Sequence, residues 1–175
     1  MAIHTSIRSM LCESLNEYIH VSEYCVNFVK SDGGCLGYPA ALVMFSIIDS
    51  IGSYNDIAVR IDGKEKKIKA DIVKTHFYIL NSEYYNQNLS EHQITKIYLM
   101  FRNTLTHNAA IVPGVLLKKI ESDERAFIDY GDTFVVNVTG LLKLNKLAVD
   151  KFLTDPLSVT GSTQEQSIKK KGLKN

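Results

Sequence analysis

The chain has 175 residues and a formal net charge of +1; 45% of its residues are hydrophobic and 22% are charged. That length suffices for one domain with a single buried core, and the composition is ordinary for a globular protein. The near-neutral charge excludes a general electrostatic attraction to nucleic acids or anionic membranes, although a local basic cleft remains compatible with it.

The first half of the chain is predicted to be helical. Apolar residues recur at steps of three and four over residues 5–30, which predicts a long amphipathic helix. A second helix is predicted over residues 39–54, and its AALVMFSIIDSIG core is apolar on nearly all sides. We therefore expect this helix to be central, and Asp49 is conspicuous within it. A third helix is predicted over residues 70–80, where apolar residues again recur.

Two local signals mark the middle of the chain. The stretch NDIAVRIDGKEKKIK is predicted to be a polar connection with a turn at Asp62-Gly63. Further on, Ser90 and Gln93 form a capping-box pattern, which predicts the start of a fourth helix. This helix should end near Asn108, because a Pro-Gly pair follows closely.

The apolar period changes after the fourth helix. Residues 115–138 alternate or cluster β-branched and aromatic residues between turn signals, which predicts two or three short strands in a small hairpin or meander. A last helix is predicted over residues 141–153. The Ser/Thr/Gln/Lys-rich tail, residues 156–175, is predicted to be disordered. The sequence thus predicts a mainly α domain of four or five helices over residues 1–155, with a small β elaboration.

The fourth helix contains the octet FRNTLTHN, in which Arg102 lies five positions before His107. A helical wheel at about 100° per residue places one apolar stripe toward the core. It also gathers a second, partly apolar face that consists of Leu99, Met100, Asn103 and His107. This second face needs cover, either from another helix of the chain or from a partner subunit.

Three side chains of the octet suit phosphoryl transfer without a metal. A histidine such as His107 can take and return a proton near neutral pH. The guanidinium of Arg102 is permanently charged and matches phosphate oxygens, while Asn103 can orient a ligand or the imidazole. A purely structural interpretation stays open, because a histidine near a helix C-terminus is also a common stabilising feature.

The order of these elements resembles the HEPN family of small helical domains. The second helix carries Ser46-x-x-Asp49, and the fourth carries RNTLTH at residues 102–107, followed by Asn108. Ribonuclease members of that family have an arginine and a histidine separated by four to six residues, very often with Asn, Asp or His directly after the arginine. The resemblance covers roughly residues 5–110 and leaves out the β elaboration and the tail.

The resemblance implies a fold, a partner and an activity. It implies a helical bundle that forms a homodimer, with the motif helices of both copies lining one cleft. It implies a metal-independent endoribonuclease acting on RNA, as a toxin or anti-phage defence effector with an antitoxin or regulatory partner. Arg102, Asn103 and His107 would then be catalytic. Some family members only bind or dimerise, so a non-catalytic dimeric interaction module is the alternative.

Asp49 needs a partner if it is buried in the second helix, since an unpaired buried carboxylate is costly. Arg102 is one candidate, and that pair would aim the guanidinium at the cleft. The alternative is that Asp49 lies near solvent or bonds to the backbone. Ser46 lies one turn before Asp49, so both are expected to support the site, as is Asn108.

The cysteines and histidines of the chain do not indicate a cofactor. Three cysteines without a CxxC pair indicate reduced thiols in a cytoplasmic protein. The five histidines show no spacing typical of a metal site, so we expect neither metal nor cofactor. The N-terminus lacks the apolar segment of a signal peptide, and no apolar run approaches a membrane span, so no membrane partner is expected.

Overall fold

The computed structural model describes residues 6–100, 114–155, 166 and 168. Helices dominate, and two small sheets accompany them, so the prediction of a helix-rich domain is confirmed at this level. The elements are α1 (Ile7–Asn27), α2 (Gly37–Ser53), β1 (Ala58–Ile61), β2 (Lys64–Lys67), α3 (Val73–His76), a 3-10 helix (Phe77–Asn81), α4 (Glu91–Leu99), β3 (Val115–Lys118), β4 (Phe127–Asp129), β5 (Phe134–Asn137) and α5 (Val138–Thr154).

Helix α2 forms the centre of the core, as its apolar sequence predicts. Seven of its side chains are completely buried: Ala40, Ala41, Met44, Phe45, Ile47, Ile48 and Ile51. It packs against α1, α5, α3 and the 3-10 helix. A helix apolar on all sides must be covered on all sides, and these four neighbours provide most of that cover.

The segment predicted to be a polar connection is a β-hairpin. Strands β1 and β2 pair antiparallel around Asp62 and Gly63, whose φ angles of 49° and 74° are those of a tight two-residue hairpin turn. The turn lies at the predicted residues, but the strands were not predicted. Only β1 buries alternate side chains, Val59 and Ile61, whereas β2 is KEKK and carries no apolar pattern.

The third helix is shorter than predicted. Helix α3 covers only Val73–His76 and continues as a 3-10 helix over Phe77–Asn81. The residue before it, Ile72, offers no side-chain cap. Four successive side chains of the 3-10 helix, Phe77 to Leu80, are buried, so packing rather than helix propensity determines this segment.

The start of α4 confirms the predicted capping box. The Ser90 hydroxyl accepts a hydrogen bond from the Gln93 N–H (3.2 Å), and the Gln93 side-chain oxygen accepts one from the Ser90 N–H (3.0 Å). Ile94 and Ile97 are fully buried, in line with the core stripe of the wheel. The predicted continuation of this helix to Asn108 lies outside the described residues.

The second sheet contains the three short strands and the small hairpin that the sequence predicted, the hairpin formed by β4 and β5, but β3 joins it in parallel rather than as part of a meander. Its strand order is β3-β5-β4, with β3 parallel and β4 antiparallel to β5. All four residues of β5 (FVVN) are buried, which is typical of a central strand. The apolar pattern locates strands but does not specify which strands pair, and so the parallel pairing could not be predicted.

Asn137 connects this sheet to α5 through a completely buried side chain. Its Oδ1 accepts hydrogen bonds from the N–H groups of Ile120 (3.0 Å) and Thr139 (3.2 Å). Its Nδ2 donates to the carbonyls of Ile120 (3.0 Å) and Asp123 (2.7 Å). The amide therefore uses its full capacity of two donors and two acceptors, while also capping α5.

Asn137→Asp should destabilise the protein although aspartate is normally a good N-cap. The aspartate retains an oxygen that can accept the two backbone N–H groups. Its second oxygen, however, replaces the Nδ2 group and faces the carbonyls of Ile120 and Asp123, which accept hydrogen bonds in the wild type. We expect a loss of about 3 kcal/mol in the free energy of unfolding, as for an unsatisfied buried group that is also charged. Urea unfolding at neutral pH measures it, and a midpoint equal to that of the wild type would contradict this role.

The end of α5 is held against α1 and the segment after the 3-10 helix. The Arg8 guanidinium donates to the carbonyls of Leu153 (2.6 Å) and Asp155 (2.8 Å). The Tyr84 hydroxyl donates to Asp155 Oδ2 (3.3 Å), and its ring contacts Phe152 edge-on. Burial, and then the neighbouring Asp155 charge, raise the pKa of Tyr84 to about 12.

This pKa predicts a loss of stability at alkaline pH. Because the folded pKa exceeds the ordinary value of 10, the contribution of Tyr84 is complete below pH 10 and is lost between pH 10 and about 12. Urea midpoints of the wild type should therefore fall more steeply over that window than those of Tyr84→Phe, which cannot ionise. Parallel pH profiles of the two proteins would exclude the effect.

The predicted disordered tail falls almost entirely outside the described residues, which include only 166 and 168 beyond residue 155.

Candidate functional site

The octet that carries the predicted catalytic residues lies outside the described part of the chain. This applies to Arg102, Asn103, His107 and Asn108. The second face of the motif helix is described only at its first two residues. Met100 is buried within the chain (1% exposed), whereas Leu99 is 43% exposed. The predicted catalytic geometry and the predicted two-fold contact therefore remain predictions.

The two predicted supporting residues of α2 are described, and they have different partners. The Ser46 hydroxyl donates to the Leu42 carbonyl (2.9 Å), one turn earlier in the same helix. Asp49 instead reaches out of its helix: its Oδ1 lies 2.8 Å from Nδ1 of His76 in α3. Among the described residues, Asp49 thus pairs with His76, which the sequence did not indicate as a partner.

His76 is fixed at both ring nitrogens. Nδ1 faces the Asp49 carboxylate, and Nε2 lies 3.2 Å from the carbonyl of Ala70. Both partners are oxygen acceptors, so each ring nitrogen is occupied by a contact within the protein. The histidine side chain is 6% exposed and that of Asp49 is 29% exposed.

This pair is a structural contact rather than an acid–base centre. A histidine that transfers protons needs a ring nitrogen within reach of the substrate, and neither nitrogen of His76 is free for one. With Ser46 bonded inside its own helix, Ser46, Asp49 and His76 also do not form a nucleophilic triad. The Asp49–His76 bond instead joins the central helix to α3.

The approach of these two helices depends on Gly52, one turn after Asp49. A Cβ atom built on Gly52 would lie 2.2 Å from the His76 carbonyl oxygen and 2.8 Å from its Cα. Only a glycine allows the backbones to come this close. The contact between α2 and α3 therefore has two components, a backbone approach at Gly52 and a charge-assisted hydrogen bond at Asp49.

Asp49→Ala should destabilise the protein more than Asp49→Asn. Alanine leaves the buried Nδ1 of His76 without its acceptor, for an expected loss of about 1–3 kcal/mol. Asparagine retains an oxygen acceptor and loses only the charge assistance, so we expect roughly half that loss. Thermal unfolding of both variants measures the difference; equal stability of the Ala variant and the wild type would show that the bond contributes nothing.

A sequence signal for this pair did exist. A carboxylate in an apolar helix needs a partner, and His76 directly precedes the buried run Phe77 to Leu80. Nothing in the spacing of 27 residues distinguishes His76 from Arg102 as that partner. The position of His76 beside α2 is a result of tertiary packing, which the sequence does not display.

The β1–β2 hairpin concentrates positive charge. Residues 58–69 contain five cationic and two anionic side chains, and most of β2 is exposed. One cation is paired: Lys66 Nζ lies 3.2 Å from Glu91 Oε2, and the hydrogen bond from Lys66 lowers the pKa of that carboxyl. The chain is thus near-neutral overall but locally basic on this hairpin, a charge distribution suited to contact with phosphates.

Two features are absent from the described residues. No helix among them has the length and apolarity needed to cross a membrane. Within the same residues, no three His, Cys, Asp or Glu side chains cluster in an arrangement that could hold a metal ion. The described cysteines, Cys12, Cys25 and Cys35, are free thiols.

Comparisons with known proteins identify no relative: no family model, no curated protein and no solved structure matches the chain.

Proposed function

We propose that the protein is a metal-independent endoribonuclease of HEPN type, with the catalytic groups in RNTLTH at residues 102–107. The motif carries this proposal: an arginine and an asparagine, then a histidine five positions after the arginine, follow directly on the capped helix α4. The helix-rich order of elements and the basic hairpin at residues 58–69 support it. A toxin or anti-phage effector is the corresponding biological role.

In the proposed reaction His107 removes the proton from a ribose 2′-hydroxyl. The 2′-oxygen then attacks the adjacent phosphorus, and the bond to the 5′-oxygen of the next nucleotide breaks. That leaving oxygen takes up a proton, which a second His107 across a two-fold axis can supply. Arg102 stabilises the charge that grows on the phosphate oxygens, and Asn103 orients the imidazole or the ligand.

The supporting role proposed for Asp49 changes in the light of its hydrogen bond to His76. A carboxylate bonded to His76 at 2.8 Å anchors α2 to α3. Asp49 and Ser46 thus support the site indirectly, through the position of the central helix.

The proposed reaction can be tested by comparing RNA with DNA as the substrate, in the presence of a chelator. Purified protein should cleave single-stranded RNA in excess chelator, because the mechanism uses no metal. DNA of the same sequence should remain intact, since it lacks the 2′-hydroxyl nucleophile. Cleavage of both substrates, or activity that chelator removes, would contradict the proposal.

A non-catalytic interaction module is the second candidate, and an exposed apolar stripe along α1 and its C-cap residue favours it. Tyr18, Val21, Tyr24 and Phe28 recur at steps of three and four and are all exposed. Such a stripe is typical of a surface that contacts another protein. If no RNA is cleaved and light scattering shows a stable homodimer, this candidate replaces the ribonuclease.

A further inference from the structure

A pocket of about 390 Å³ lies between the turn joining α1 to α2 and the edge strand β3. Its wall includes Lys30 from the turn and Lys118 and Lys119 from the end of β3, beside Tyr38 and Leu117. Among the described residues, no aspartate or glutamate lines it. Small-molecule sites have volumes of about 300–1,000 Å³, so this pocket could hold one small ligand.

The turn holds Lys30 in place at the pocket. Its N–H donates to the Gly34 carbonyl (2.8 Å), and Gly33 takes the left-handed conformation with φ of 81°. Asp32 accepts a hydrogen bond from the Gly34 N–H (2.9 Å) and lies 3.4 Å from the Lys30 ammonium. The hydrogen bonds of a compact turn therefore fix the backbone of Lys30, and its side chain lies in the wall of the pocket.

The three ammonium groups are available to an anion. The carboxylates that pair with Lys30 and Lys119 belong to Asp32 and Glu121, whose side chains are 68% and 76% exposed. Exposed pairs of this kind contribute little to stability, so a multiply charged ligand can compete with them. Lys118 has no carboxylate within ion-pair distance among the residues that the structure describes.

The rest of the pocket wall includes apolar side chains, which indicate that the ligand has an apolar part as well as a charged one. Tyr38 is half-exposed and offers a flat aromatic face, and Leu117 adds an aliphatic one. Lysine ammonium groups bind phosphate oxygens, while flat apolar surfaces cover bases. We propose that this pocket binds a nucleoside phosphate, with the phosphates at the three lysines and the base against Tyr38. This proposal does not rest on the proposed ribonuclease activity.

Calorimetric titration of the full chain at low salt tests the ligand class, with ADP, pyrophosphate and adenosine as probes. ADP should bind, pyrophosphate should bind more weakly, and adenosine should show no heat of binding. Pyrophosphate binding as tightly as ADP would overturn the nucleoside assignment. Failure of ADP to bind at millimolar concentration would overturn the site itself.

Two matched charge reversals test the location. Lys118→Glu should weaken ADP binding by about tenfold or more, as expected when a charge-assisted contact is replaced by repulsion. Lys151→Glu makes the same change in net charge in the last turn of α5, away from the pocket lining, and should leave the affinity within about twofold. Both lysines are exposed, so neither variant should fail to fold. Equal effects of the two variants would refute binding in this pocket.

Tyr38→Ala separates the base contact from the phosphate contact. It should weaken ADP binding and leave pyrophosphate binding unchanged, because pyrophosphate has no group to cover the ring. Unchanged ADP affinity in this variant would contradict the proposed orientation.

Discussion

Gly52→Ala is expected to destabilise the protein by about 3 kcal/mol or more, at the upper end of overpacking effects. The added Cβ would lie 2.2 Å from the His76 carbonyl oxygen, and that oxygen belongs to backbone that cannot rotate away. To relieve the clash, α2 and α3 must separate, which also lengthens the Asp49–His76 hydrogen bond. Urea unfolding followed by circular dichroism measures the loss.

Gly37→Ala is the matched control for this prediction, since it makes the same change in the same helix. A Cβ at Gly37 would meet its nearest neighbour, Leu117 Cβ, at 3.8 Å, which is ordinary contact. Alanine also has the higher helix propensity, so the control should be neutral or slightly more stable. If the two variants unfold at the same urea concentration, the close approach at Gly52 does not limit stability.

His107→Ala is expected to lower the rate of RNA cleavage by about 10²–10⁴-fold, the usual contribution of a general acid or base. The side chain is proposed to line a cleft, so its removal should change the unfolding midpoint little. Initial rates on a fluorescent oligoribonucleotide, at equal protein concentration, give the loss. A variant that keeps wild-type activity would remove His107 from the mechanism.

Arg102→Lys tests the second catalytic group while keeping its charge. We expect a loss of activity comparable to that of His107→Ala, because a single ammonium cannot reproduce the two-pronged contact of a guanidinium with phosphate. Rescue of activity by lysine would indicate that only the charge matters at this position.

The sequence correctly predicted those parts of the fold that depend on residues close together in the chain. The amphipathic period located α1, the all-apolar run identified α2 as central, and the spacing of Ser90 and Gln93 located the start of α4. Each of these rests on residues within one or two helical turns of each other. Such patterns can be read from the chain because the interactions that produce them lie within the same segment.

The features that were missed are pairings between distant segments. Strand β2 is composed of charged residues and is recognisable only through its partner β1, whose alternation is four residues long. The parallel pairing of β3 with β5 brings together residues separated by nineteen positions, as Val115 and Phe134 show. The hydrogen bond between Asp49 and His76 also joins distant segments. The sequence could predict that a carboxylate in an apolar helix needs a partner, but it could not predict which residue that partner is.

The chemical ends of the RNA fragments test the proposed ribonuclease most directly. A defined oligoribonucleotide is incubated with the wild type in excess chelator, with His107→Ala purified in parallel as the control, and the products are analysed by mass spectrometry. Attack by the 2′-hydroxyl predicts a 2′,3′-cyclic phosphate, or the phosphate formed from it by hydrolysis, on one fragment and a 5′-hydroxyl on the other, with none from the variant. Fragments that end in a 3′-hydroxyl and a 5′-phosphate, or equal cleavage by both preparations, would contradict the account.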